Sequence, residues 1–206
     1  MTENKQGARG ELIVLSGPSG VGKSTVIAEL LKNRPDIHFS ISFTTRLPRP
    51  GEVDGVNYNF VSRAEFERMI ADGELLEYAE YVGNYYGTSL KIIQDKLEKG
   101  VDVLLDIEVQ GAAKVRGKCP EAVMIFIAPP SLDELSNRLH KRNTDSEEVI
   151  CHRLEKAREE CCEITHYDYV VVNDDVSAVT GEIQAILAAE RCRVQKRMHF
   201  VGKITG

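Results

Sequence analysis

The chain has 206 residues, 42% hydrophobic and 28% charged, values that suit one compact domain with a real core and exclude wholesale disorder. Lys and Arg number 26 against 32 Asp and Glu, a formal charge of −6, which excludes a general nucleic-acid-binding coat. Any anion must therefore be held by a local cationic cluster.

The opening MTENKQGARGE is polar and lacks an apolar h-region, so no signal peptide is expected there. The first apolar run, ELIVLS at 11–16, reads as a buried strand. It leads into Gly17-Pro18-Ser19-Gly20-Val21-Gly22-Lys23-Ser24, which fits G-x-x-x-x-G-K-[ST], then Thr25 and the helical pattern VIAELLK. Strand, glycine loop and helix in that order make a polyphosphate cradle. Glycine lets the backbone N–H groups turn inward, and the helix starting near Lys23 adds the positive end of its dipole. Lys23 supplies a mobile cation for the β/γ oxygens and Ser24 a hydroxyl for Mg²⁺. The loop implies a nucleoside triphosphate but not the reaction. The N-K-x-D and D-x-x-G strings of a guanine-nucleotide switch do not occur.

Residues 38–90 break the pattern with short β-like pieces, the turn-rich RLPRPGEVDG and Tyr81, Tyr85 and Tyr86 close together. A helix from Ser62, capped through Glu65, carries Phe66, Met69 and Ile70 on one face. The stretch is predicted to be an insertion between the first helix and the next core strand. Within it Arg46, Arg49 and Tyr58 read either as a fixed oxyanion clamp or as a solvated arginine loop. Glu77 reads either as a surface carboxylate or as an acceptor for the N1–H and 2-amino groups of guanine, which adenine lacks.

Further on, VDVLLDIE at 101–108 is the next strand, with Asp106 at its end where a carboxylate reaches a Mg²⁺ shell. AVMIFIA at 122–128 is the longest apolar run; at seven residues it is far short of the roughly 18 a membrane span needs. Ser131 and Glu134 form a candidate capping box, and Ile150, Leu154, Ala157, Cys161 and Ile164 share a helical face. YVVV at 169–172 is a strand, and Val176, Val179, Ile183, Ile186 and Leu187 mark the last helix. The basic segment 191–203 reads as a solvated helix end. Strands alternating with helices predict an α/β fold: a P-loop NTPase core with a parallel sheet covered by helices and an inserted mixed α/β subdomain.

The odd count of five cysteines argues against a disulfide framework and for a reducing, cytoplasmic compartment. Cys151, His152, Cys161, Cys162 and His166 hint at a metal site, but at ~1.5 Å rise per residue Cys151 and Cys162 stand about 16 Å apart on one helix. Zinc ligands converge within ~2.3 Å of one point, so no tightly bound protein metal is expected.

In GPSGVGKS, SFTTRxPRPGExDGxxYxF, the GNYYGT block, LLDIEVQG, the PPS turn and VVNDD, met in this order, the chain resembles bacterial guanylate kinases over essentially its whole length. The resemblance implies transfer of the ATP γ-phosphoryl to GMP with Mg²⁺. It implies a core of 11–37, 95–130 and 165–206, a GMP-binding insertion at 38–94 and a lid at 131–164. Carried onto matching positions, Arg46, Arg49, Tyr58 and Tyr86 hold the GMP phosphate, and Ser42, Glu77, Thr88 and Glu108 read the guanine edge. Arg138, Arg142 and Arg153 cover the triphosphate, the first two on one helical face, and Asn173 lies near the adenine. Lys23, Arg46, Arg142 and Arg153 are then the catalytic set.

Lys141 and Asn143 stand where the family places glycines around the lid arginine, which bears on hinge flexibility. Two other readings are a peptide-binding guanylate kinase-like module without catalysis, and a kinase for another phosphate ester. The complete Lys23, Ser24 and Asp106 set and the guanine-edge residues favour GMP. The expected partners are ATP and GMP, with no nucleic acid or membrane, and a homo-oligomer is left open.

Overall fold

The computed structural model describes residues 9–81, 83–141 and 146–205. In chain order the elements are β1 (Leu12–Ser16), α1 (Lys23–Asn33), β2 (His38–Phe39), β3 (Phe43–Thr44), β4 (Asn59–Phe60) and α2 (Arg63–Ala71). Then come β5 (Leu75–Tyr81), β6 (Asn84–Ser89), α3 (Leu90–Glu98), β7 (Val103–Asp106), α4 (Val109–Lys118) and β8 (Val123–Ala128). The last are α5 (Leu132–Lys141), α6 (Glu147–Cys162), β9 (Tyr169–Val172), α7 (Val176–Glu190) and α8 (Met198–Thr205). The chain divides into two compact units, residues 9–16 with 36–124, and residues 17–35 with 125 onward.

In the first unit β1 and β7 pair in parallel, Leu12 opposite Val103 and Leu15 opposite Asp106, and β2 pairs in parallel with β7. Both longer strands are apolar without alternation and their apolar residues are buried, as strands covered on two faces require. Beyond the ladder, the Ser16 hydroxyl donates to the Ile107 carbonyl at 2.8 Å and fixes the end of β7, where Asp106 sits. A second sheet runs in the order β4-β3-β6-β5, with β3–β4 parallel and the other pairs antiparallel. Its core joins Phe66, Met69 and Leu75, and Phe66 stacks on Tyr85 with centroids 5.2 Å apart. Ser62 caps α2, accepting from the Glu65 N–H at 3.2 Å, as the spacing predicts.

In the second unit β8 and β9 pair in parallel, with Ile125 opposite Tyr169 and Ala128 opposite Val172. Helices α5 and α6 share a core of Leu135, Leu139, Ile150 and Ala157, packed by Leu132 and Leu154. The capping box is half formed. Ser131 accepts from the Glu134 N–H at 3.0 Å, but the Glu134 carboxylate turns to Arg138 Nε at 2.9 Å. The α6 face stops earlier than its periodicity suggests: the chain tightens to a 3-10 turn over Glu163–His166, taking Ile164 off that face. In α7 Val179, Ile183 and Leu187 are buried, yet α7 is not the final helix, because α8 follows with Met198, Phe200 and Ile204 exposed. No helix among the described residues is long and apolar enough to cross a membrane.

Candidate functional site

The phosphate loop lies in the second unit and is held by its own neighbours. Gly22 has φ +98°, the left-handed region, and caps α1; a Cβ there would stand 2.6 Å from Asn173 Nδ2. Gly17 approaches the Ile127 carbonyl so closely that a Cβ would meet its oxygen at 2.2 Å. The Val21 carbonyl accepts from Asn173 Nδ2 at 2.7 Å, and buried Asn173 is itself fixed by its N–H to the Ala128 carbonyl at 2.8 Å. Arg138 joins this frame: Nε donates to Glu134, Nη1 to the Asn173 carbonyl at 2.9 Å and more weakly to the Val21 carbonyl at 3.4 Å. Asn173 and Arg138 thus brace the loop from β9 and α5. Lys23 arches back to donate to the Gly17 carbonyl at 2.9 Å, which keeps its ammonium over the loop's own peptides. Ser24 and Thr25 are exposed on the first turn of α1, and Arg153 is half-buried on α6. Arg142 and Asn143 lie outside the described residues.

The first unit holds the residues expected at the acceptor site. Arg46 and Glu52 form an end-on fork, Nη1 to Oε2 at 2.9 Å and Nη2 to Oε1 at 2.8 Å, and Nη1 also donates to the Leu47 carbonyl at 2.8 Å. These bonds use three of the five guanidinium N–H donors, and the Tyr86 hydroxyl hydrogen-bonds the same group. The guanidinium lies 5.3 Å from the Tyr58 ring centroid, and the Tyr58 and Tyr86 rings meet edge to face at 5.9 Å. Glu52 drives the Arg46 pKa up, with the Tyr86 hydroxyl adding to it, and Arg46 in turn holds the Glu52 carboxyl below its usual range. The Arg49 N–H donates to Glu52 Oε2 at 2.7 Å, so one carboxylate ties the loop carrying both arginines. Burial pushes the Tyr58 phenol up, which keeps it a donor.

Deeper in the same unit, Glu77 on β5 faces Thr88 across the ladder, and the Thr88 hydroxyl donates to its Oε1 at 2.6 Å. Both are buried. The other oxygen stands 3.0 Å from where a Gly111 Cβ would be, so a side chain at 111 would press on the Glu77 carboxylate. Burial lifts the Glu77 carboxyl above its usual range, against the hydrogen bond from Thr88 and the charges of Lys114 and Lys118. Ser42 is half-buried, its carbonyl accepting from Asn59 N–H at 2.9 Å. Glu108 is the N-cap residue of α4, exposed, and makes no side-chain cap to its own helix. Asp106 is half-buried at the end of β7. Its carboxylate and the Ser24 hydroxyl are hard oxygen donors of the kind Mg²⁺ takes, so the donor chemistry fits the ion.

A family model described as guanylate kinase matches residues 9–190. The chain belongs to the guanylate kinase family. It is 52% identical over 188 residues to the guanylate kinase of Desulfitobacterium hafniense (strain Y51), covering 91% of this chain and 94% of that one. It is 54% identical over 189 residues to that of Streptococcus thermophilus (strain CNRZ 1066), covering 91% and 90%. Among solved structures, the crystal structure of guanylate kinase from Anaplasma phagocytophilum superposes with a TM-score of 0.74 at 39% identity, covering 90% of this chain and 88% of that one. The α/β fold with parallel strands flanked by helices is that of the family.

Sequence reasoning assigned no role to Glu52, Gly111, Lys114 or Lys118. Glu52 was legible as an opposite charge six positions after Arg46 across a Pro-Gly turn. The others were not, because their partners are set by how α4 lies against β5.

Proposed function

We propose that the chain transfers the γ-phosphoryl group of ATP to GMP, giving ADP and GDP, in the cytoplasm; its five unpaired cysteines support a reducing compartment. The observation that carries this reading is the buried Glu77 carboxylate held by Thr88, in the same unit as the Arg46–Glu52 fork, in a chain of the guanylate kinase family. A buried acceptor pair of this kind is satisfied by adjacent N–H donors and left unpaired by adenine.

In this reading Arg46, Arg49, Tyr58 and Tyr86 hold the GMP phosphate, while Ser42, Glu77, Thr88 and Glu108 read the base. Gly17, Pro18, Ser19, Gly20, Val21, Gly22, Lys23, Ser24 and Thr25 bind the ATP phosphates, with Arg138 and Asn173 bracing that loop and Arg142 and Arg153 serving from the lid. Ser24 and Asp106 would hold Mg²⁺, directly or through water, and the ion would supply charge neutralisation for the triphosphate. Little acid–base chemistry is needed. A phosphate with a second pKa near 6 is mostly dianionic at neutral pH and already nucleophilic. The obstacle is mutual repulsion of two polyanions brought in line; Lys23, the loop amides and the arginines offset it as charge moves across. A coupled ADP-release assay with GMP, AMP and UMP tests the reading. GMP is expected to be the preferred acceptor by orders of magnitude, and AMP or UMP serving equally well overturns it.

A further inference from the structure

Lys114 and Lys118 are four residues apart on α4, hence on one face of the helix, and both ammonium groups donate to backbone carbonyls of β5. Lys118 Nζ lies 2.6 Å from the Leu76 carbonyl oxygen and 3.3 Å from that of Leu75. Lys114 donates to the Tyr78 carbonyl, and its ammonium lies 5.1 Å from the Tyr78 ring centroid. The carbonyls they hold therefore bracket Glu77 from both sides.

Two features of β5 make this bracket matter. It is the edge strand of its sheet, so no strand among the described residues pairs with it on that side, and the lysines supply donors there instead. Its register against β6 also shifts between Leu75 and Glu77, the mark of a bulge. A regular strand alternates faces; here Leu75, Leu76 and Glu77 are buried in succession. A bulge re-aims the side chain that follows it, and Lys118 grips the two carbonyls inside this one. The flexible stem and three donors of lysine suit it to two carbonyls at once.

We propose that Lys118, with Lys114 beside it, is a positioning residue for acceptor recognition: the pair clamps the β5 bulge and keeps the Glu77 carboxylate turned toward Thr88 and the nucleobase. This rests on Glu77 reading guanine. The same two ammonium charges act against the upward push of burial on the Glu77 pKa, favouring the ionised acceptor.

The test compares the GMP-to-AMP ratio of kcat/KM in the full-length wild type, Lys118→Met, Lys118→Arg, Lys114→Gln, Glu77→Gln and Lys118→Met/Glu77→Gln. Lys118→Met is expected to lower the ratio about tenfold, the size of a coupling between residues in one network, with KM for GMP rising and KM for ATP unchanged. Lys118→Arg restores most of the ratio, and Lys114→Gln lowers it by a smaller factor. Once Glu77 is Gln, the added Lys118→Met change costs almost nothing more. A purely structural lysine would lower the melting temperature and leave the ratio alone. If Glu77→Gln lowers the ratio but Lys118→Met and Lys114→Gln do not, or if the double variant is fully additive, the inference is overturned. An unchanged ratio in Glu77→Gln itself overturns the guanine reading beneath it.

Discussion

At the scale of single residues, the proposed acceptor site rests on how neighbours hold each charged group. Arg46 gives its end-on edge to Glu52 and one more N–H to Leu47, and it also hydrogen-bonds the Tyr86 hydroxyl. A lysine could not hold a carboxylate and present a planar fork together. Arg46→Lys is therefore expected to raise KM for GMP roughly 10-fold or more and to lower kcat, despite the retained charge; wild-type steady-state kinetics would contradict the assignment. Glu77 gives a pH signature. Burial raises its carboxyl above the ordinary 4.5, so the folded state prefers the protonated form. Its stability contribution is fully present below the unfolded value near 4.5 and is lost as pH rises through the raised folded value. Glu77→Gln should remove that loss. The melting-temperature difference between variant and wild type should grow in the variant's favour from acid to neutral pH; a difference independent of pH would contradict the burial argument. Arg46 stood out in the sequence within a proline- and glycine-rich arginine stretch, whereas Glu77 was set apart from a surface carboxylate only by the resemblance to guanylate kinases. Their partners were less so: Glu52 was within reach of inference, whereas the closeness of Gly111 to the Glu77 carboxylate depends on tertiary packing alone.

At the scale of elements, local chemistry read well wherever it was local. Ser62 and Ser131 cap helices as short-range hydrogen bonding dictates. The long apolar strands and α1 with its glycine loop fall where the pattern puts them. What escaped was non-local. The β5 bulge breaks alternation for reasons lying in β6 and α4, the short strands β2, β3 and β4 carry too few residues for a period, and α8 has no apolar stripe that packing uses. Arg138 shows the same limit, since its spacing gives a helix face but not that Glu134, Asn173 and Val21 accept from its Nε and Nη1. The core of α5 and α6 also backs the phosphate loop: a Cβ at Gly20 would meet the Leu139 side chain at 2.7 Å and that of Leu135 at 3.3 Å. Leu135→Ala should therefore lower stability to chemical denaturation by about 2–5 kcal/mol and raise KM for ATP. A loss under about 1 kcal/mol with an unchanged KM would show that this core neither fills nor supports what surrounds it.

At the scale of the whole molecule, the division of labour follows the chain. The glycine loop and its braces belong to one compact unit and the residues proposed to hold the acceptor to the other. The alternation of strands and helices made the fold class readable, because parallel strands buried on both faces need long apolar runs and helical crossovers. The reaction was readable only through several motifs taken together, since the glycine loop alone fixes a nucleotide and not an acceptor. Product analysis by anion-exchange chromatography after mixing the chain with ATP, Mg²⁺ and GMP tests the central claim most directly. ADP and GDP should appear one for one as ATP and GMP disappear. ADP accompanied by inorganic phosphate with no GDP, or AMP consumed as fast in a parallel mixture where it replaces GMP, would contradict it.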